Sequence, residues 1–215
     1  MSPVTDYVIA RTRMVKEQIA ARGITDPAVL RAMRIVPRHL FLDQAFWPRA
    51  YGEHPLPIGN EQTISQPYIV ALMSQELDVQ PGMRVLEVGT GSGYQAAVLS
   101  VMGCRVYTVE RDKILLNNAK KIISQLKIVN ISFKHADGSI GWETHAPFDR
   151  IIVTAGSPSV PDDLITQLFT GGKLVIPVGN RDNQRLTVLT KGPSMLEKRE
   201  VSNCSFVPLI GEKGW

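Results

Sequence analysis

The residues best suited to do chemistry fall in one octet, Leu86-Glu87-Val88-Gly89-Thr90-Gly91-Ser92-Gly93. It reads as an apolar strand running into a glycine turn. Gly89, Gly91 and Gly93 allow positive φ and close approach of the backbone to a ligand. A helix opening near Tyr94 presents free N–H groups at the same place. The spacing excludes two common nucleotide turns. A dinucleotide turn needs Gly-x-Gly-x-x-Gly, and here the third glycine comes one position early, with Tyr94 where it should stand. A phosphate-cradling loop ends in Gly-Lys-Ser/Thr, which this turn lacks. Glu87, two residues before the first glycine, would repel a pyrophosphate and suits a cationic, zwitterionic ligand. The alternative is an ordinary glycine-rich turn.

Two further carboxylates close strands. Glu110 ends Val106-Tyr107-Thr108-Val109-Glu110, about twenty residues past the turn, where an acid can accept both hydroxyls of a ribose. A solvated strand-end charge is the alternative. Asp137-Gly138 closes the next strand and, on residue chemistry alone, also reads as an Asp-Gly turn. His39, His54, His135 and His145 are dispersed in no metal-ligand pattern, and there is no Gly-x-Ser-x-Gly nucleophile elbow.

These residues need a frame, and the sequence supplies one. Strand patterns are expected at Arg84–Val88, Arg105–Glu110, Ile131–Ala136, Asp149–Thr154, Gly172–Pro177 and Arg185–Leu189, with another inside Glu197–Pro208. Helices are expected at Tyr94–Met102, Lys113–Leu126 and Pro161–Phe169. Apolar strands alternating with helices imply an α/β fold, a doubly wound and mostly parallel sheet covered on both faces. The closing strands lack an intervening helix, so an antiparallel hairpin should finish the sheet. Ligands in such sheets sit beyond the carboxyl ends of the strands at the switch point.

Upstream, residues 5–22 suggest a helix stopped by Gly23. Asp26 with Pro27 suggests a capped second helix to about Arg34. Residues 35–64 carry Pro37, Pro48, Pro55, Pro57, Gly52 and Gly59, and are expected to be a long ordered loop or a set of short turns. A helix should follow from Pro67 to Leu77. The expected organisation is an N-terminal helical extension and loop, 1–64, packed on a core, 65–215.

A chain of 215 residues with 44% hydrophobic and 20% charged content suits a globular protein. Residues 1–50 hold eight Lys/Arg against four Asp/Glu, so the net charge of +4 arises there. It is too dispersed to indicate nucleic-acid binding. Cys104 and Cys204 read as core thiols of a reducing compartment. The polar start resembles no leader, and no apolar run reaches membrane-spanning length. A cytoplasmic location is expected, with a monomer favoured.

The Gly-x-Gly-x-Gly turn after Glu87 resembles motif I of class I S-adenosylmethionine methyltransferases, of the Rossmann-like type. Asp137-Gly138 stands where that class often binds the adenine amino group. Members that methylate amide or adenine nitrogens often carry Asn/Asp-Pro-Pro-aromatic after the fourth strand. Thr154-Ala155-Gly156-Ser157-Pro158 departs from that pattern.

A narrower resemblance spans almost the whole chain. Leu56-Pro57-Ile58-Gly59-Asn60-Glu61-Gln62-Thr63-Ile64-Ser65-Gln66-Pro67 is similar to the segment before motif I in protein-L-isoaspartate (D-aspartate) O-methyltransferases. Asp137-Gly138-Ser139-x-Gly141-Trp142, Ala146-Pro147-Phe148-Asp149-Arg150, Gly171-Gly172-Lys173-Leu174-Val175 and Phe206-Val207-Pro208-Leu209-Ile210-Gly211 also match. Glu61 stands where many bacterial members have glycine. The resemblance implies methyl transfer from S-adenosylmethionine to a free carboxylate of an L-isoaspartyl or D-aspartyl residue in a damaged protein, leaving S-adenosylhomocysteine. The ester would then collapse to a succinimide, a repair step, with no metal. It implies Ser65 as the catalytic serine; on chemistry alone Ser65 could equally cap the helix at Pro67. It also implies Thr63 and Ile64 beside cofactor or substrate. The loop with Tyr51, Leu56 and Ile58 would wall the peptide site, although packing explains those apolar residues equally well. Two rivals stay open: transfer to another acceptor, and cofactor binding without transfer.

Overall fold

The structure, a computed structural model, describes residues 3–215. The polar start, which resembles no leader, lies partly outside the described residues. Helix α1 (Pro3–Met14) widens into a π turn at Val15–Ile19 and tightens at Ala20–Arg22. It stops at Gly23, φ 92°. Helix α2 (Pro27–Ile35) is capped as its sequence dictates, the Asp26 carboxylate accepting the N–H groups of Ala28 and Val29.

The proline-rich stretch is not a bare loop. It forms two 3₁₀ turns, Arg38–Phe41 and Gln44–Arg49, then a two-stranded antiparallel hairpin of β1 (Leu56–Gly59) and β2 (Gln62–Ile64). A buried Arg38, its Nε donating to Ala50 O, ties the turns together. Helix α3 (Pro67–Leu77) follows. Arg150 reaches its far end and donates to Leu77 O and Asp78 O.

The main sheet contains β3 (Arg84–Val88), β4 (Arg105–Glu110), β5 (Ile131–His135), β6 (Phe148–Val153), β7 (Leu168–Gly179), β8 (Gln184–Lys191) and β9 (Leu196–Cys204). Its order is β5-β4-β3-β6-β7-β8-β9. The pairs among β3 to β7 are parallel, and β7-β8 and β8-β9 are antiparallel. Helices α4 (Tyr94–Val101), α5 (Lys113–Gln125) and α6 (Asp162–Gln167) connect the parallel strands. The chain leaves β3 toward β4 and β5, then returns to β3's other side with β6, so the switch point lies at the carboxyl end of β3. One apolar cluster joins the N-terminal helices, α3, α4 and one face of the sheet; a second fills the other face. β7 begins four residues earlier than its sequence pattern. Pairing of Phe148 with Leu168 across a register shift recruits the Thr-Gly-Gly run that reads as a turn.

Candidate active site

At the switch point the turn after β3 takes positive φ at Gly89 (95°), Gly91 (52°) and Gly93 (87°). Each glycine answers a different neighbour. A Cβ on Gly89 would lie 2.5 Å from Thr154 Oγ1, whose hydroxyl donates to Gly89 O. A Cβ on Gly91 would meet Ile58 Cδ1 at 3.5 Å. Gly93 begins α4, and its Cβ would lie 3.1 Å from Ala119 on α5. Gly89 and Gly91 therefore shape a cleft, and Gly93 allows two helices to close together.

The cleft has a volume of about 270 Å³, on the scale of a small-molecule site. One wall is Val88–Ser92 with Glu110–Asp112 and Gly138. The other is Thr63-Ile64-Ser65 with Asn60 and Gln62. Tyr94, Thr154 and the segment Val207–Ile210 complete it. Glu110 is buried, its Oε2 accepting Gly91 N–H at 2.9 Å and its Oε1 accepting Asp112 N–H at 2.9 Å. It is therefore aimed at the turn. A Cβ on Gly138 would strike Val88 Cγ1 at 2.6 Å, so that floor needs a bare backbone.

Several residues singled out by sequence stand elsewhere. Glu87 is fully buried beneath the turn and does not line the cleft. Its Oε2 accepts from the Thr108 hydroxyl at 2.5 Å, and Thr108 Oγ1 lies 2.6 Å from Thr90 Oγ1. Oε1 has no partner. Burial, opposed by the Thr108 bond and reinforced by Glu110, pushes its carboxyl up to about 8. At neutral pH it is mostly an uncharged acid in this state.

Asp137 faces away from the main cleft. Oδ1 accepts Ser139 N–H and the Ser139 hydroxyl, and Oδ2 accepts Glu212 N–H. Burial opposes its ionisation, but these bonds outweigh burial and hold it below the ordinary carboxylate value. Tyr51 is buried among Tyr7, His39 and Trp47, with its hydroxyl 2.7 Å from His39 Nδ1. Leu56 is a core residue. Ile58 is half-buried over Gly91. Ser65 is half-buried and lines the cleft, but it caps nothing. The cap position of α3 is Gln66, and no side chain bonds there.

Sequence reasoning missed Asn60, Gln62, Arg111, Asp112, Thr154 and Val207–Ile210 as wall residues. Thr154 could have been found, since it directly follows β6 beside the switch point. Val207–Ile210 is apolar and signals no ligand chemistry. It is carried to the cleft by pairing with Gly156, through Gly156 N–H to Val207 O and Leu209 N–H to Gly156 O.

Among the described residues, no cluster of three or more His, Cys, Asp or Glu could hold a metal. No helix there is long and apolar enough to cross a membrane. A glycine turn at the switch point of this sheet, faced by a strand-end acid, defines a methyltransferase fold of the class I type. A model of the protein-L-isoaspartate (D-aspartate) O-methyltransferase family matches residues 10–214. The chain belongs to that family. It is 51% identical over 211 residues to a protein-L-isoaspartate O-methyltransferase of Syntrophotalea carbinolica, covering 98% of this chain and 97% of the relative. Among solved structures, a protein-L-isoaspartate O-methyltransferase aligns with TM-score 0.86 and 30% identity, over 95% of this chain and 67% of that one. A Plasmodium falciparum protein-L-isoaspartate O-methyltransferase, solved with S-adenosyl-L-homocysteine, aligns with TM-score 0.81 and 28% identity, over 93% and 98%.

Proposed function

We propose that this chain transfers a methyl group from S-adenosylmethionine to the free carboxylate of L-isoaspartyl residues in damaged proteins, starting their repair through a succinimide. The observation that supports this most is a cleft bounded by the glycine turn and Glu110 on one wall and by Thr63-Ile64-Ser65 on the other. The donor set fits the cofactor. Gly89 and Gly91 leave backbone bare for it, and Glu110 retains lone pairs for ribose hydroxyls. Gly138 leaves room for the flat adenine. When bound, S-adenosylmethionine would supply a methyl group on a sulfonium cation.

The chain's own residues then have little acid–base work. A carboxylate with an ordinary pKa of about 4 is already ionised at neutral pH, so no general base is required. Ser65, on the cleft wall, holds the acceptor carboxylate by donating its hydroxyl. Thr63 and Ile64 offer backbone beside it, and Ile58 and the apolar Val207–Ile210 exclude water. Meeting of an anion and a cation destroys charge, so a water-poor wall favours the step. Fixed alignment can contribute roughly 7–11 kcal/mol in favourable cases. Glu87, buried below the turn, acts on the cofactor side by fixing Thr108 and, through it, Thr90; Gly93 and Asp137 act by holding the walls. Tyr51 and Leu56 support the peptide side from behind Ile58. In this reading residues 1–64 form the peptide-facing segment and 65–215 the cofactor-binding core.

We infer a monomeric, cytoplasmic enzyme whose partners are damaged proteins and not nucleic acid or membrane. The dispersed charge and two free thiols support this. The test is labelled S-adenosylmethionine offered with matched isoaspartyl and L-aspartyl peptides. Base-labile methyl ester on the isoaspartyl peptide alone is expected. Ester on neither peptide, with tight cofactor binding, overturns the acceptor assignment.

A further inference from the structure

The β1–β2 hairpin makes no backbone ladder with the main sheet, since its two strands pair only with each other. Its tip is a two-residue turn, Asn60 (φ 49°) and Glu61 (φ 58°), between the paired Gly59 and Gln62. Two successive left-handed residues are the hairpin turn that matches strand twist, and asparagine accepts that backbone readily. The turn delivers Asn60 Nδ2 to 2.6 Å from Asp112 Oδ2, across 52 positions of sequence. Asp112 is firmly placed. Its Oδ1 accepts the N–H groups of Ile114 and Leu115 at the start of α5, and its own N–H donates to Glu110 Oε1. The tip of the hairpin is thus tied to the stretch that begins with the ribose-facing acid. Behind the tip, Ile58 rests over Gly91. The hairpin therefore bridges the cleft from the glycine turn to the head of α5, and it does so through side chains alone.

We propose that Asn60 is a positioning residue whose hydrogen bond to Asp112 latches the hairpin across the ribose end of the cleft, so that cofactor enters and product leaves only when this latch breaks. This rests on the cofactor reading above. The bond joins two parts of the chain and uses no ligand atom, so it opposes entry as well as exit. That separates a gate from a simple binding contact, whose loss would change exit alone.

The test is stopped-flow measurement of S-adenosylhomocysteine association and dissociation on the full chain. Asn60→Gly removes the bond and keeps the positive φ. Asn60→Asp sets two carboxylates against each other. Combining Asn60→Asp with Asp112→Asn exchanges donor and acceptor and leaves an oxygen to cap α5. Each single variant is expected to raise both rate constants about three- to tenfold, leaving Kd within about twofold. The double variant should return both rates toward those of the parent. Melting temperatures check folding, and Asn60→Gly carries the comparison should Asn60→Asp fail to fold. Faster dissociation alone, or unchanged rates in the variants, overturns the gate. Failure of the parent chain to bind S-adenosylhomocysteine overturns the cofactor reading and the gate with it.

Discussion

Ser65 carries no capping duty, so its removal separates chemistry from stability. Ser65→Ala is expected to leave stability within about 0.5 kcal/mol and cofactor affinity nearly unchanged. It should lower kcat by about tenfold or more through loss of a positioned donor. Calorimetric binding with a steady-state assay checks both; full activity would remove Ser65 from the site. Gly91→Val is expected to abolish cofactor binding. Its φ of 52° suits no β-branched residue, and its Cβ would enter the space under Ile58. Normal affinity in that variant would show that the turn holds something else. Glu87 gives a pH prediction. Its carboxyl stands near 8 in the fold against an ordinary 4.5. Between those values the unfolded chain has lost the proton and the folded chain keeps it. Stability therefore falls as pH rises through that window and levels off above it. Glu87→Gln cannot titrate, so its advantage over the parent should grow by a few kcal/mol between pH 5 and 8, read by urea denaturation. A constant difference would mean that the buried carboxyl is already charged.

At the scale of elements, the hairpin is where the sequence was least legible. Strands of four and three residues, one interrupted by Pro57, are too short to show alternation, and the Pro and Gly content reads as loop. The helices and inner strands were legible because their signals are local. Asp26-Pro27 marks the start of α2, and short β-branched, mostly apolar runs opened by Arg84 and Arg105 mark β3 and β4. The alternative that Ser65 caps α3 fails for a local reason too. Pro67 takes the first helical position, which moves the cap to Gln66. Glu61, where glycine is usual in the family pattern, is held at φ 58°, a region that penalises a side chain. Glu61→Gly is expected to stabilise the chain by about 0.5–1 kcal/mol, raising Tm by about 1–4 °C at this size. A lowered Tm would show that the glutamate makes a favourable contact at the tip.

For the whole molecule, the parallel sheet, its switch point and the closing hairpin followed from strand–helix alternation, and the cleft wall at the glycine turn followed from contiguous motifs. The last wall did not, because it is assembled over distance. Glu212 N–H reaches Asp137 Oδ2, Lys213 N–H reaches Ser139 Oγ, and Trp215 Nε1 reaches Gly156 O, spanning 75, 74 and 59 positions. Nothing in the apolar run Val207–Ile210 announces those partners. The consequence concerns cooperativity. A cleft wall pinned by such distant segments exists only when the sheet's middle and the tail are folded together, so no partly folded form can retain the site. In rising urea without cofactor, methyl transfer and the far-UV helical signal are expected to disappear in one coincident transition. Activity lost well before the helical signal would mean that the tail peels away as a separate unit. In the coincident case, catalysis itself serves as a probe of global unfolding.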